Sequence, residues 1–164
     1  LVEGAAQLVP VGPEMRYQLT PELVERYWDR DSVGALVASP ANPTGTLLER
    51  PELAALSAAL KERGGHLVVD EIYHGLTYGT DAASVLEVDD EAFVLNSFSK
   101  YFGMTGWRLG WMVLPDGARD EVDVAEGSSV MRGAVRHGIE PMPDGGTISV
   151  VAMLRRLTTQ TPTA

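Results

Sequence analysis

Apolar positions between Thr20 and about Pro115 switch period several times, and each switch marks a change of secondary structure. Leu23, Val24, Tyr27 and Trp28 recur at helical spacing behind Thr20-Pro21-Glu22. A hydroxyl cap, a proline at the first helical position and an acid in the first turn predict a helix start there. Residues 33–38 form a short apolar run, which predicts a buried strand. Leu53, Leu56 and Leu60 give the inward stripe of a second helix, from about 51 to 63, stopped by Gly64-Gly65. Further strands are predicted at 8–11, 66–70, 92–96 and 109–114. Residues 39–45, with two prolines and a glycine, predict a loop.

Strand, helix, strand in that order predicts an α/β fold: a mainly parallel sheet covered by helices in three layers. Ligands of such sheets bind beyond the carboxyl ends of the strands. Asn42, Asp70 and Ser97 each fall at or just past such an end. The pattern weakens from Asp116 onward. Residues 120–125 suit a turn of helix, glycines and prolines interrupt 127–146, 148–157 suit a last strand or helix, and 158–164 read as a frayed tail. The expected organisation is one partial domain over 1–115 and an atypical C-terminal segment over 116–164. Leu1 is no initiator, and the first predicted strand is entered from something upstream, so the chain is expected to be a fragment.

The 164 residues suffice for one ordinary domain, and 45% hydrophobic with 22% charged residues is a globular composition. Thirteen basic against twenty-three acidic residues leave a formal charge of −10, which repels phosphate backbones and anionic membranes. Neither nucleic acid nor membrane is an expected partner. Without cysteine there is no disulfide, thiolate metal site or thiol nucleophile. The apolar runs are too short to span a bilayer and residues 1–20 lack a signal-peptide layout, so a cytoplasmic protein is expected.

The candidate chemistry centres on Lys100, one of only two lysines in a chain that otherwise uses arginine. Guanidinium does not lose its proton, whereas a desolvated ammonium does, and the free amine attacks carbonyls to give a Schiff base. Ser97 and Ser99 precede Lys100 and Arg108 follows it, a set of hydroxyl donors and a planar cation fork suited to a phosphate. An amine for an aldehyde and a cradle for a phosphate point to pyridoxal phosphate (PLP). Asp70 closes the apolar run Leu67-Val68-Val69. A buried carboxylate there needs a cation, which a protonated pyridine nitrogen would be, although a turn aspartate after a strand is the plainer reading. Tyr73 and Asn42 are hydrogen-bond donors suited to a ring phenolate oxygen, and equally ordinary as structural residues.

Other motifs carry less. Glu71-Ile72-Tyr73-His74 has a Glu-x-x-His spacing known from metal sites, but there is no second copy and a structural role is expected; no metal is expected. His66 and His137 are isolated. Ser97-Phe98-Ser99-Lys100 fits the Ser-x-x-Lys of penicillin-recognising hydrolases, yet it follows a strand and lacks a Lys-Thr-Gly partner. Gly103, Gly106 and Gly110 do not make a dinucleotide fingerprint.

Four blocks in order resemble the class I/II aminotransferases, the fold-type I PLP enzymes: Ser39-Pro40-Ala41-Asn42-Pro43-Thr44-Gly45, Val69-Asp70-Glu71-Ile72-Tyr73, Ser97-Phe98-Ser99-Lys100 and Gly106-Trp107-Arg108-Leu109-Gly110. The resemblance covers about residues 5–115. It implies that 1–115 is part of the PLP-binding large domain of an enzyme moving an amino group from an amino acid to a 2-oxo acid. It implies Lys100 as the Schiff-base lysine and proton carrier, Asp70 as the pyridinium partner, and Tyr73 and Asn42 as donors to the ring oxygen. Ser97, Ser99 and Arg108 are implied as phosphate binders. Family chains are more than twice as long and act as homodimers, and their substrate-carboxylate arginine has no counterpart in context here. The alternatives are a truncated, non-catalytic remnant, or a PLP lyase or decarboxylase on the same scaffold.

Overall fold

In the computed structural model, the structure describes residues 4–116, Ala118 and, by its backbone, the strand at 152–156. The elements are β1 (Gly4–Leu8), α1 (Pro21–Tyr27), β2 (Ser32–Ala38), α2 (Arg50–Lys61), β3 (His66–Asp70), β4 (Phe93–Ser97), β5 (Gly110–Val113) and β6 (Ala152–Arg156). The six strands form one sheet in the order β1-β6-β2-β3-β4-β5.

The centre of the sheet is parallel, β2 with β3 and β3 with β4. Strand β6 is antiparallel to both β1 and β2, so β1 and β2 run the same way. Strand β5 is antiparallel to β4. Four of the six strands therefore share one direction, in the α/β class expected. The antiparallel strands were not legible, because strand direction is set by the partner and not by the apolar pattern.

Side-chain alternation decides which face is covered. Val37, Val69 and Val94 lie in one row across the parallel strands and are all buried. Above them pack Leu53, Leu56 and Leu60 of α2 and Leu23 and Val24 of α1. Each such leucine contributes roughly 1.5–3 kcal/mol by leaving water. The opposite face carries Leu36, Val68 and Leu95, which are only half-buried. Among the described residues both helices sit on the first face, so the second helical layer of the three-layer expectation has no counterpart there. Gly34 lets β2 approach β3 closely, since a Cβ at that position would meet the His66 carbonyl oxygen at 2.6 Å.

One strand lies elsewhere than the sequence reading placed it, and one open alternative is decided. The first strand is Gly4–Leu8, not 8–11: Pro10 has no N–H to give a ladder, and Val9 turns into the core instead. The region 148–157 holds a strand, β6. The helical turn anticipated at 120–125, the glycine-rich stretch and the tail lie outside the described residues.

Candidate active site

The C-terminal ends of β2, β3 and β4 lie side by side, and each delivers a candidate residue. Asp70 is the last residue of β3, Ser97 the last of β4, and Asn42 follows the end of β2 by four positions. The strand ladder runs on past these ends: Ser39 N–H donates to the Asp70 carbonyl at 3.1 Å, and Glu71 N–H to the Leu95 carbonyl at 2.9 Å. The loops beyond are thus anchored at their roots.

The loop after β2 is wired internally. Ala41 N–H donates to the Thr46 carbonyl at 2.9 Å, Gly45 N–H to the Ala41 carbonyl at 2.7 Å, and Leu48 N–H to the Ser39 hydroxyl at 2.9 Å. Buried Gln18 straps it from outside, its Nε2 within 3.1 Å of the Ala38 and Thr46 carbonyls. From this loop Asn42 Nδ2 donates to the Tyr73 hydroxyl at 3.1 Å. Asn42 and Tyr73 also border an open groove of about 450 Å³ between this loop and the segment after β3.

Lys100 reaches the same place from β4. Its Nζ lies 5.6 Å from the centroid of the Tyr73 ring. The approach is fixed next door, where the Tyr101 ring occupies the space a Cβ on Gly75 would need; Gly75 has φ +85°. Lys100 makes no ion pair among the described residues. Lys61 is tied down: its Nζ is 2.6 Å from Asp89 and 2.9 Å from Glu91, and the hydrogen bonds it donates to those carboxylates hold its ammonium well above the ordinary lysine range.

Asp70 stands apart from these contacts. Its Oδ1 accepts the Ile72 N–H at 3.0 Å, and no cation faces it among the described residues. Burial raises its carboxyl above the usual range, against the opposing pull of that N–H. A desolvated carboxylate without a cation is what a ligand's protonated nitrogen would complete, and in this respect the site fits PLP.

Ser97, Ser99 and Arg108 share one turn. The Ser97 hydroxyl is 2.8 Å from that of Ser99 and 3.0 Å from the Leu109 carbonyl, and the Ser99 N–H donates to it at 3.0 Å. Neither hydroxyl contact involves Lys100, as the hydrolase reading of Ser-x-x-Lys would want. Arg108, exposed and in the left-handed region at φ 52°, donates from Nη1 to the Thr105 carbonyl at 3.1 Å. Thr105 in turn donates its hydroxyl to the Ser99 carbonyl at 2.9 Å. Thr105 thereby bridges the buried serine and the arginine; only its place within the same hydroxyl-rich stretch could have drawn notice to it.

Glu71 and His74 pair with each other, Nδ1 to Oε2 at 3.4 Å, in keeping with a structural use of the Glu-x-x-His spacing. Their further contacts, and that of Gln18, span 13 to 35 residues of sequence and had no local signal.

The chain matches the family Aminotransferase class I and II over residues 2–158, and it belongs to that family. It is 42% identical over 122 residues to the valine–pyruvate aminotransferase of Mycobacterium tuberculosis, an alignment covering 73% of this chain and 31% of that protein. It is 33% identical over 116 residues to the aspartate aminotransferase of Thermotoga maritima, covering 69% and 31%. Among solved structures, the aspartate aminotransferase of Thermus thermophilus with maleate superposes with a TM-score of 0.61 at 36% identity, covering 65% of this chain and 28% of that one. The chain thus spans about three tenths of the length of these relatives. No described helix is long and apolar enough to cross a membrane.

Proposed function

We propose that residues 1–115 are the cofactor-binding part of a PLP-dependent aminotransferase large domain, with 116–164 an atypical segment beyond it. The observation that carries this reading is the contrast between the two lysines. Lys100 is free of ion pairs among the described residues and stands over the Asn42–Tyr73 pair, while Lys61 is locked between two carboxylates.

When bound, PLP supplies the electron sink that allows an amino acid's Cα–H bond to break. Lys100 would hold the cofactor through its Nζ amine, and the same amine would carry the proton at the substrate Cα. Asp70 holds the pyridine nitrogen in its protonated form, the pairing its desolvated carboxylate favours. Tyr73, which accepts from Asn42, keeps its own O–H to give, and with Asn42 it addresses the ring oxygen. Ser97, Ser99 and Arg108 would hold the phosphate, the serines as hydroxyl donors and Arg108 as the cation. The substrates are an amino acid and a 2-oxo acid, and the working form is a cytoplasmic homodimer.

The test is a PLP titration, then borohydride reduction and peptide mapping. A visible absorbance band with the cofactor fixed to Lys100 is expected. No band, or label divided between Lys61 and Lys100, would overturn the reading. Ammonia and pyruvate from a β-substituted amino acid, with no new amino acid formed, would move the reaction from transfer to lyase chemistry.

A further inference from the structure

Glu71 is 3% exposed, an unusual place for a carboxylate, and its partners trace a path across the site. Its Oε1 accepts the Ser84 hydroxyl at 3.0 Å and the Val85 N–H at 2.9 Å. Its Oε2 faces His74 Nδ1 at 3.4 Å, and His74 Nε2 lies 3.1 Å from the Ser39 carbonyl. A carbonyl oxygen and a carboxylate oxygen both only accept, so His74 is the donor in each contact, from Nε2 to Ser39 and from Nδ1 to Glu71. The path runs from the segment before β4, beneath the turn that bears Tyr73, to the first residue of the loop that bears Asn42.

We infer that His74, held by Glu71, is a positioning residue: it clamps the Asn42 loop to the Tyr73 turn and so sets the spacing of the two ring-oxygen donors. This rests on the proposed PLP reading. His74 is the neighbour of Tyr73, and Ser39 lies three positions before Asn42, so the Nε2 contact fixes the two donor-bearing segments directly beside the donors. The Asn42–Tyr73 bond is exposed, where water competes for both groups. The His74–Ser39 contact is more sheltered and ends on a carboxylate with two further bonds, which makes it the stiffer of the two links.

The test compares His74→Gln, whose amide Nε2 can reach the Ser39 carbonyl, with His74→Leu, of similar bulk and no donor. Two readouts are taken. Hydrogen exchange across residues 39–48 in the cofactor-free protein is expected to quicken several-fold in the leucine variant and to stay near the parent in the glutamine variant. The PLP dissociation constant is expected to rise roughly five- to tenfold in the leucine variant, the loss of about one hydrogen bond. The pH midpoint of the bound cofactor's visible absorbance should shift with it, while glutamine restores both. Equal behaviour of the two variants, in either direction, overturns the inference. If the leucine variant does not fold, His74→Asn, whose donor falls short of Ser39, takes its place against His74→Gln under the same criterion. The exchange readout needs no cofactor. A parent that takes no PLP at Lys100 therefore overturns the functional reading, and the exchange comparison still judges the clamp.

Discussion

The side-chain amide of Asn42 donates to the hydroxyl of Tyr73 across 3.1 Å, joining the loops that leave two neighbouring parallel strands. The bond brings together two groups thirty-one residues apart at the edge where α/β sheets present their ligand sites. In it Asn42 is the donor and the phenol oxygen the acceptor.

Tyr73→Phe keeps the ring beside Lys100 and removes the hydroxyl from Asn42. PLP affinity should fall roughly five- to tenfold, about one hydrogen bond. An anion that has lost a donor is harder to form, so the visible absorbance of bound PLP should change at a higher pH than in the parent. A spectrophotometric pH titration checks both. An unchanged affinity and midpoint would place the ring oxygen away from Tyr73.

Asp70 is a desolvated carboxyl at the end of β3. Burial raises its folded pKa, so the folded state holds this proton more tightly than the unfolded chain does. That advantage is complete below the unfolded pKa and disappears as the pH rises through the folded value, above which the group is ionised and desolvated. Asp70→Asn keeps an acceptor for the Ile72 N–H and removes the charge. Thermal melts of the cofactor-free protein at pH 7 should show a gain of order 1 kcal/mol, shrinking as the pH falls toward the ordinary carboxylate range. PLP binding should be lost or strongly weakened. A variant less stable than the parent at pH 7 would mean that the carboxylate already has a cation.

Asp89 titrates in the opposite sense. Burial pushes its carboxyl up, but hydrogen bonds from Lys61, Ser57 and the Glu91 N–H outweigh it and hold the group below the usual range. Its contribution is present above the unfolded pKa and is lost as the pH falls through the folded value. Asp89→Ala, which strands the partly buried Lys61 and Ser57 groups joining α2 to the approach to β4, should cost about 2 kcal/mol at pH 7. Denaturant titrations should show the gap between parent and variant closing below about pH 4. A gap that persists in acid would show that packing, not the ion pair, is responsible.

Among the described residues strand β5 ends the sheet and pairs with β4 alone, and its surroundings are apolar: Trp107 is 74% exposed, with Leu109, Trp111 and Val113 also open. An edge of that kind invites pairing with another chain. The isolated chain should self-associate with rising concentration, and Trp111→Lys should reduce this, as read by sedimentation velocity. A monomer over the whole accessible range would argue that the exposed edge is harmless.

Much of the centre was legible because it depends on neighbours in sequence. Thr20 caps α1 through the Leu23 N–H, as its place before Pro21 predicts. The inward leucines of α2 and the strands at β2 and β3 follow from period alone. The loop at 39–45 follows from its prolines and glycine. The candidate residues could be assembled on one sheet edge because the end of a parallel strand is visible in the order of elements. Long-range wiring was not legible. Nothing near Gln18 shows that it will strap a loop twenty-eight residues on, and the Glu-x-x-His spacing gave no hint that Ser39 would be the histidine's partner.

The amino-acid sequence by itself determined the alternation of helix and strand, the family, and the identity of the chemically able residues: Lys100, Asp70, Tyr73, Asn42, Ser97, Ser99 and Arg108. These rest on period, turn chemistry and side-chain type, which are local properties. Tertiary structure alone decided that, among the described residues, Lys61 is tied to carboxylates while Lys100 is not and Asp70 is desolvated without a cation, and that β5 and β6 run against their neighbours. Burial and charge pairing depend on which distant segments meet, and that information exists only once the chain has folded.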